Sequence, residues 1–389
     1  MSPGGRGRPL RVALVTSSYN YIPDGVALTL NRLVGYLESR GVEVLVFAPV
    51  AKAPAFAHTG DIVPAPSAPF PFRPEYRLAL GLTRRPRERL EAFDPDLIHI
   101  AVPDFLGRQA LAIGRARGVP VVASYHTRYE AYLKDYGLEF LREGFTAWLR
   151  QFYDQVDEVY VPSESMIESL LAEGFSPHLH LWRRGVDVER FDPAKRSATV
   201  RAAWGLGESE VAITFVSRLV REKRLDTLVE VADRLAAAGA CHRMVIVGEG
   251  PSRAGLERRL PGAVFTGFLT GEALAQAYAS SDIFLFPSDT ESFGNVTLEA
   301  MASGLPAVCA DATGSRSLVE AGVTGFLAPT GNGEAFFHHV AALVQDGKLR
   351  SGMGAAARAR ALGFSWNETM ADLLARYQAL LVAPGRVAA

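Results

Sequence analysis

The sequence contains little cysteine. Only Cys241 and Cys309 occur among its 389 residues. Their separation matches no metal-binding spacing, which excludes a cysteine metal centre. We expect both residues to be buried free thiols in a cytosolic protein.

The sequence also lacks an excess of charge and a long apolar run. It has 41 Lys and Arg against 42 Asp and Glu, a net charge of −1, so bulk binding of nucleic acid is not expected. No stretch reaches transmembrane length, and the basic residues 1–11 are not followed by an apolar leader segment. We therefore expect a soluble or peripheral protein on the cytoplasmic side of any membrane it touches.

A third absence is the GxGxxG fingerprint of dinucleotide-binding domains, which is missing after the first predicted strand, residues 11–17. This absence disfavours an NAD-dependent oxidoreductase. The loop that follows contains Asp24, Gly25 and Val26, which bring a small residue and a helix start to the end of the strand. The loop is either an ordinary turn or a place where the backbone can approach a diphosphate closely.

Strand and helix patterns, in contrast, alternate through the whole chain. The composition is 48% hydrophobic, which is ample for large cores. The alternation begins near residue 11 and restarts near residue 211, and it predicts an α/β protein with two doubly wound, Rossmann-like domains. We place an N-terminal domain at 1–190, a C-terminal domain at 191–365, and a last helix with its tail at 366–389.

Residues 288–306, which read SDTESFGNVTLEAMASGLP, follow an apolar run that predicts a buried parallel strand. Gly294 and Asn295 open a predicted helix, and Gly304 stands where a C-terminal capping glycine is expected. The exposed N–H groups at Gly294, Asn295 and Val296 form a predicted anion site.

Two glutamates frame this turn, Glu291 in the loop and Glu299 in the helix. An isolated pair of glutamates is most often only solvated. Here they follow the carboxyl end of a buried strand, where α/β sheets bind ligands. We therefore predict that they accept hydrogen bonds from sugar hydroxyls beside a phosphate site.

Further candidates follow other predicted strands. Arg218 and Lys223 lie five positions apart after a strand, where they would clamp two phosphates opposite Gly294. His126 follows the strand at 120–124. Asp94 and Asp96, in contrast, precede a strand, so we reject a metal site there and predict a turn.

Residues 288–306 resemble the glutamate-pair signature of retaining glycosyltransferases of family 4. The SYHT element around His126 and the R-x4-K pair Arg218 and Lys223 match as well, although Ser217 stands where most relatives have glycine. The likeness covers nearly the whole chain. It implies a GT-B fold, in which an acceptor domain and a donor domain face a cleft and the last helix crosses back to the first domain.

The resemblance also implies metal-independent transfer of a hexose from a nucleotide diphosphate sugar, without another cofactor. Arg218 and Lys223 would stabilise the leaving diphosphate, Glu291 would hold sugar hydroxyls, Glu299 the ribose diol, and His126 would contact the sugar. Further donor contacts are implied for Asp24, Gly25, Val26, Gly248, Gly267, Phe293, Gly294, Asn295 and Val296.

The first loop and the SYHT element resemble those of GDP-mannose-dependent α-mannosyltransferases that act on lipid or glycolipid acceptors. A UDP-sugar-dependent hexosyltransferase of the sulfolipid-synthase type remains an alternative, as do a nucleotide-sugar epimerase and a non-catalytic nucleotide-binding regulator. Residues 73–89, which include Arg73, Arg77 and Arg89, predict a basic helix face. This face is either only solvated or contacts anionic lipid at the inner face of the plasma membrane.

Overall fold

The computed structural model describes residues 8–22, 24–51, 53–70, 73–134, 137–176, 178–207 and 209–382. Predictions that fall on residues 1–7, on Pro23 or on the tail after residue 382 lie outside this part. The chain forms two compact units. The first unit contains Met1–Thr127, Phe140–Arg183 and Asn367–Ala389, and the second contains Arg128–Glu139 and Arg184–Trp366.

The first unit is built around a seven-stranded parallel sheet with the order β3-β2-β1-β6-β7-β8-β9. Its strands are β1 Arg11–Val15, β2 Glu43–Ala48, β3 Asp61–Pro64, β6 Leu97–Ile100, β7 Val121–Ser124, β8 Glu158–Val161 and β9 Leu179–Leu181, with a separate antiparallel hairpin of β4 Ser67–Phe70 and β5 Arg73–Ala79. Its helices are α1 Gly25–Ser39, α2 Arg84–Phe93, α3 Phe105–Ala116, α5 Arg142–Tyr153, α6 Glu164–Ala172 and α15 Trp366–Val382.

The second unit has a six-stranded parallel sheet with the order β12-β11-β10-β13-β14-β15. Its strands are β10 Val211–Val216, β11 His242–Val247, β12 Val264–Gly267, β13 Ile283–Phe286, β14 Ala307–Ala310 and β15 Gly325–Ala328. Its helices are α4 Tyr129–Tyr132, α7 Ala198–Ala203, α8 Leu225–Ala237, α9 Arg253–Arg259, α10 Gly271–Ala279, α11 Asn295–Ala302, α12 Thr313–Leu318, α13 Gly333–Gln345 and α14 Gly347–Ala361.

The central strands are buried on both faces, as β10 illustrates with six buried residues in succession. Such runs are typical of parallel strands covered by helices on either side. In each sheet the strand order reverses once, between β1 and β6 in the first unit and between β10 and β13 in the second. Loops diverge at these points and leave a crevice at the carboxyl ends of the strands.

The chain passes between the two units four times, after Thr127, Glu139, Arg183 and Trp366. The polypeptide leaves the first unit after Arg183, a few residues before the predicted boundary at residue 190. It returns at Asn367, so nearly all of α15 belongs to the first unit. There Arg376 forms an ion pair with Glu158 of β8, with N–O distances of 2.8 and 3.0 Å. The predicted return of the last helix to the first domain is thus confirmed.

Two local predictions are wrong. The basic segment is not one helix, because residues 73–79 form strand β5 and α2 begins only at Arg84. Strand β5 pairs with β4 in an antiparallel hairpin, with Ala68 opposite Leu78. Cys241 is exposed, and only Cys309 is buried as expected.

The turn prediction for the two aspartates is confirmed, since Asp94 follows α2 with a φ of 48° and Asp96 contacts the Arg8 guanidinium at 3.1 Å. In the described ranges, no helix has the length and apolar character needed to cross a membrane.

Candidate active site

The loops that leave β10 and β13 meet at the switch point of the second unit. Lys223 lies in a short 3-10 turn after β10, and Glu291 lies in the loop after β13. The Lys223 ammonium forms an ion pair with the Glu291 carboxylate, and both side chains are largely shielded, at 14% and 22% exposure. Ser288 donates its hydroxyl to Glu291 at 3.4 Å. The structure therefore brings together a cation and a carboxylate that the sequence singled out separately.

A second ion pair, which sequence reasoning missed, joins the same two loops. The Arg224 guanidinium contacts both carboxylate oxygens of Asp289, at 3.0 Å each. Arg224 has a φ of 55°, a left-handed conformation that ends the 3-10 turn and begins α8. A two-point arginine contact fixes direction as well as distance. The Arg224–Asp289 pair thus braces the loops that present Lys223 and Glu291.

The backbone around Glu291 is held from the neighbouring helix α12. Thr313 Oγ1 and the Gly314 N–H both donate to the Glu291 carbonyl at 3.0 Å. A Cβ at Gly314 would lie 2.8 Å from the Phe293 carbonyl oxygen. Only glycine therefore allows α12 to approach this loop so closely.

Helix α11 begins at the predicted place. Gly294 is its N-terminal cap, with a φ of 99°, and Asn295 and Val296 occupy its first turn, partly exposed. Because glycine has no side chain, the cap residue offers no side-chain acceptor to the first N–H groups. Phe293 differs from its neighbours, because its ring is buried and packs against Phe364 with centroids 6.2 Å apart. Only the backbone of Phe293, and not its side chain, is thus available to a ligand at this turn.

Glu299 is oriented by a buried tyrosine. The Tyr278 hydroxyl donates to Glu299 Oε2 at 3.1 Å, and burial raises the pKa of Tyr278 well above its usual value. The phenol therefore remains a donor at any physiological pH. It fixes one oxygen of the Glu299 carboxylate, for which the resemblance implies a contact with the ribose.

Glycines also lie at the ends of β11 and β12 in the second unit. Gly248 follows β11 with a φ of 137°, and a Cβ there would overlap the Ser217 carbonyl oxygen. The Gly248 N–H donates to the carbonyl of Gly267, which ends β12, at 2.8 Å. Gly250, which the sequence did not single out, is crowded in the same way by the Leu219 carbonyl. Arg218 lies exposed in the loop between these two carbonyls.

The remaining predicted residues lie in the first unit, at the carboxyl edge of its sheet. Asp24 is the N-cap of α1 and accepts from the Ala27 N–H at 2.8 Å and from Ser18 Oγ at 3.0 Å. Gly25 and Val26 form the first turn of α1. His126 follows β7 by two residues, is buried, and packs against Trp182 with ring centroids 5.7 Å apart.

Sequence reasoning missed one buried carboxylate at the switch point of the first unit. Asp104 caps α3 by accepting from the Gly107 N–H at 2.8 Å, and it also accepts a hydrogen bond from Ser17. Burial raises the pKa of this carboxyl group above its ordinary value. The signal in the sequence was an aspartate directly before a predicted helix, as at Asp24, in the loop that follows a buried strand.

Comparison with known proteins agrees with this geometry. Residues 23–190 match the model of Glycosyltransferase Family 4, and residues 210–346 match that of Glycosyl transferases group 1. A GDP-mannose-dependent alpha-mannosyltransferase of Mycobacterium tuberculosis is 38% identical over 95% of this chain and 97% of the relative. The chain belongs to glycosyltransferase family 4.

Two further similarities support the enzyme class and the fold. Sulfoquinovosyl transferase SQD2 of Arabidopsis thaliana is 34% identical over 94% of this chain and 73% of the relative. A sucrose-phosphate synthase from Thermosynechococcus elongatus superposes with a TM-score of 0.77, at 21% identity, over 95% of this chain and 99% of that chain. The GT-B fold and the glycosyltransferase class predicted from the sequence are confirmed.

Proposed function

We propose that this glycosyltransferase moves a hexose, mannose from GDP-mannose, to a lipid or glycan acceptor with retention of anomeric configuration. The observation that carries the proposal is the Lys223–Glu291 pair beside the start of α11 at the switch point of the second unit. A diphosphate between Lys223 and this helix start would compete for the ammonium. Glu291 would then accept hydrogen bonds from the sugar hydroxyls.

The main barrier to such a transfer is separation of charge between an oxocarbenium-like sugar and the departing diphosphate. Arg218, Lys223 and the N–H groups at the start of α11 would stabilise the negative charge that develops on the phosphates. A well-placed donor of this kind contributes about 3 kcal/mol. Arg218 and Lys223 would neutralise the charge of the diphosphate, as a metal ion does in other enzymes. We therefore propose a reaction that needs neither a metal nor another cofactor.

Retention requires the acceptor oxygen to form its bond on the face of the sugar that the diphosphate leaves. The bond between the sugar and the leaving phosphate oxygen breaks, and this oxygen takes the proton of the acceptor hydroxyl. The second product is therefore a protonated nucleoside diphosphate. His126 would contact the sugar and shape the acceptor side. If Glu291→Gln and His126→Ala both left turnover unchanged at saturating donor, these assignments would be wrong.

The identity of the donor is the finer part of the proposal. The 38% identity with a mannosyltransferase supports GDP-mannose, whereas the sulfoquinovosyl transferase at 34% identity keeps a UDP-sugar as the alternative. Thermal unfolding with GDP, UDP or ADP in the presence of EDTA separates them. A nucleotide at 100 times its dissociation constant adds about 2.7 kcal/mol of stability.

Each outcome of that experiment has a meaning. Stabilisation by GDP alone supports metal-independent binding of a guanosine donor. Stabilisation by UDP alone overturns GDP-mannose and leaves the site intact. The measurement is repeated with Mg²⁺ in place of EDTA. Stabilisation that appears only with Mg²⁺ contradicts metal-independent binding, and no response to any of the three nucleotides in either condition contradicts the donor site itself.

The acceptor is proposed to be a lipid presented at the inner face of the plasma membrane. Leu80 and Phe105 are 50% and 56% exposed, and the Phe105 ring lies beside Gly81, so we propose that these two apolar side chains of the first unit contact the lipid. The arginines of α2 contribute less charge than the sequence suggests, because Arg84 and Arg87 pair with glutamates one turn later. Sedimentation with anionic liposomes tests the contact. Binding that Leu80→Ser and Phe105→Ser abolish supports it, and the absence of binding overturns it.

A further inference from the structure

A buried histidine connects the last helix to the strand that precedes His126. His99 lies on β6 and is fully buried. Its Nδ1 is 2.6 Å from the Tyr377 hydroxyl of α15, and its Nε2 is 2.6 Å from Ser124 Oγ at the end of β7. Each ring nitrogen of His99 thus has a hydroxyl partner on a different element of the first unit.

Burial raises the pKa of Tyr377 well above its usual value, so its phenol keeps its proton. A hydroxyl can donate or accept, so both ring nitrogens of His99 are satisfied in either tautomer, by a chain of hydrogen bonds that runs from Tyr377 to Ser124 or in the opposite direction. In both cases the positions of the Tyr377 and Ser124 hydroxyls fix the plane of the His99 ring.

Ser124 passes this constraint on to the loop that carries His126. Its carbonyl accepts from the Tyr153 hydroxyl at 3.2 Å, so both its side chain and its backbone are held. The Trp182 ring contacts both histidines, with its centroid 5.9 Å from that of His99 and 5.7 Å from that of His126. His126 is thus linked to His99 through the chain and through an aromatic contact.

We propose that Tyr377, His99 and Ser124 are positioning residues through which α15 sets the orientation of the His126 ring. A buried hydroxyl or imidazole group without a hydrogen bond destabilises the folded state. The fully paired arrangement of Tyr377, His99 and Ser124 is therefore favoured over arrangements in which one of these groups is unpaired. An error of about 1 Å in a catalytic group can reduce turnover about hundredfold. The consequence for catalysis rests on the role proposed above for His126, whereas the positioning itself does not.

The competing explanation is that the network only anchors α15 to the sheet. A matched pair of variants separates the two. Tyr377→Phe removes the hydroxyl that contacts His99. Tyr160→Phe removes a hydroxyl that donates to Glu158 at 3.0 Å and does not contact His99. The Tyr160 ring belongs to the same aromatic cluster, with its centroid 5.8 Å from that of His99. Both variants lose one buried hydroxyl and keep every ring.

The first experiment observes the imidazoles directly. The full-length chain, whose eight histidines are labelled with ¹⁵N, is titrated by NMR, with resonances assigned by substitution of single histidines. We expect Tyr377→Phe to shift the ring nitrogens of both His99 and His126, and Tyr160→Phe to leave those of His126 as in the wild type. Unchanged His126 signals in Tyr377→Phe, or equal shifts in both variants, would overturn the proposal.

The second experiment is a double-mutant cycle on the rate of GDP-mannose hydrolysis without acceptor. Tyr377→Phe should lower kcat about tenfold with little change in KM, and should have less than about a twofold effect when His126 is already alanine. A tenfold loss in both backgrounds would show that Tyr377 does not act through His126. If His126→Ala alone changes nothing, the proposed role of His126 fails, and the NMR result still decides the positioning.

Discussion

Lys223 and Glu291 are 68 positions apart in sequence, and their side chains form an ion pair in the second unit. They meet because β10 and β13 are neighbours in the sheet, with Ile213 opposite Ile283. The intervening strands β11 and β12 lie on the other side of β10. The reversal in strand order therefore places the two loops at one crevice.

The first prediction concerns the charge of Lys223. Lys223→Ala removes the ammonium proposed to stabilise the leaving diphosphate, and we expect kcat to fall about 10²- to 10³-fold. The loss should be larger in kcat than in affinity for the nucleotide, because the charge on the diphosphate grows in the transition state. Steady-state transfer kinetics and calorimetric binding of the nucleoside diphosphate measure the two effects.

Asp289→Asn is the matched control for that change. It weakens the Arg224–Asp289 pair between the same loops without altering the Lys223–Glu291 pair. We expect a loss of thermal stability and a much smaller fall in kcat. Equal losses of kcat in the two variants would indicate that Lys223 only braces the loops.

The convergence of Arg218, Lys223 and Glu291 at one edge could be predicted from the sequence, because each follows a recognisable buried strand. The Arg224–Asp289 brace could not. It depends on a left-handed residue at position 224, and nothing in the local sequence announces that conformation. Likewise, the partners of His99 lie 25 and 278 positions away, so only the packing of α15 reveals them.

The error over residues 73–79 has a physical cause as well. The arginines of this segment are typical of a solvated helix face, and its proline and alanine are poor strand formers. The hairpin forms because β4 and β5 pair with each other and not with the main sheet. Such local pairing depends on the cross-strand partner, and composition alone does not supply it.

The second prediction concerns the glycine that follows β11. Gly248→Ala would place a Cβ against the Ser217 carbonyl at a φ of 137°, so Ser217 and its loop must shift. We expect a loss of about 3 kcal/mol or more, together with weaker nucleotide binding. Gly239→Ala is the control, because it also has a positive φ, 69°, but has open space around it. A cost of about 1 kcal/mol there, measured by urea unfolding, isolates the effect of the overlap.

The third prediction concerns a hydrogen-bond hub within the second unit. The Arg358 guanidinium on α14 donates to the carbonyls of Val188, Phe191 and Ala302 and to the Asp192 carboxylate, at 2.6 to 3.1 Å. A lysine keeps the charge but cannot reach four acceptors in these directions. We expect Arg358→Lys to cost about 2 kcal/mol or more in the free energy of unfolding, because buried carbonyls lose their donors.

Arg350→Lys on the same helix is the comparison. Arg350 donates to the Leu343 and Val344 carbonyls through a single nitrogen, Nη1, at 2.6 and 3.3 Å. A lysine ammonium can take over the role of one nitrogen, so we expect a cost below about 1 kcal/mol. Similar losses in both variants would show that the forked geometry of Arg358 contributes nothing.

The last prediction is a pH dependence that arises from Asp104. Because burial raises its pKa in the folded state, the unfolded chain loses this proton at lower pH than the folded chain does. From about pH 4, the pKa of an ordinary aspartate, upward to the raised value, the folded state therefore binds more protons, and stability falls as pH rises. Asp104→Asn keeps an acceptor for the Gly107 N–H and removes the titration. The stability of the wild type relative to this variant should decline over that range and then level off.

Asp311 provides a control of opposite sign. Its hydrogen bond to Arg316 lowers the pKa of its carboxyl group, so its contribution to stability is present above the ordinary aspartate pKa and is lost as pH falls. The stability of the wild type relative to Asp311→Asn should therefore rise with pH as Asp311 ionises. The Asp311 difference changes below about pH 4 and the Asp104 difference above it, so urea unfolding is measured on both sides of this pH. Parallel curves for the wild type and Asp104→Asn would mean that the Asp104 carboxyl group titrates alike in the folded and unfolded chains.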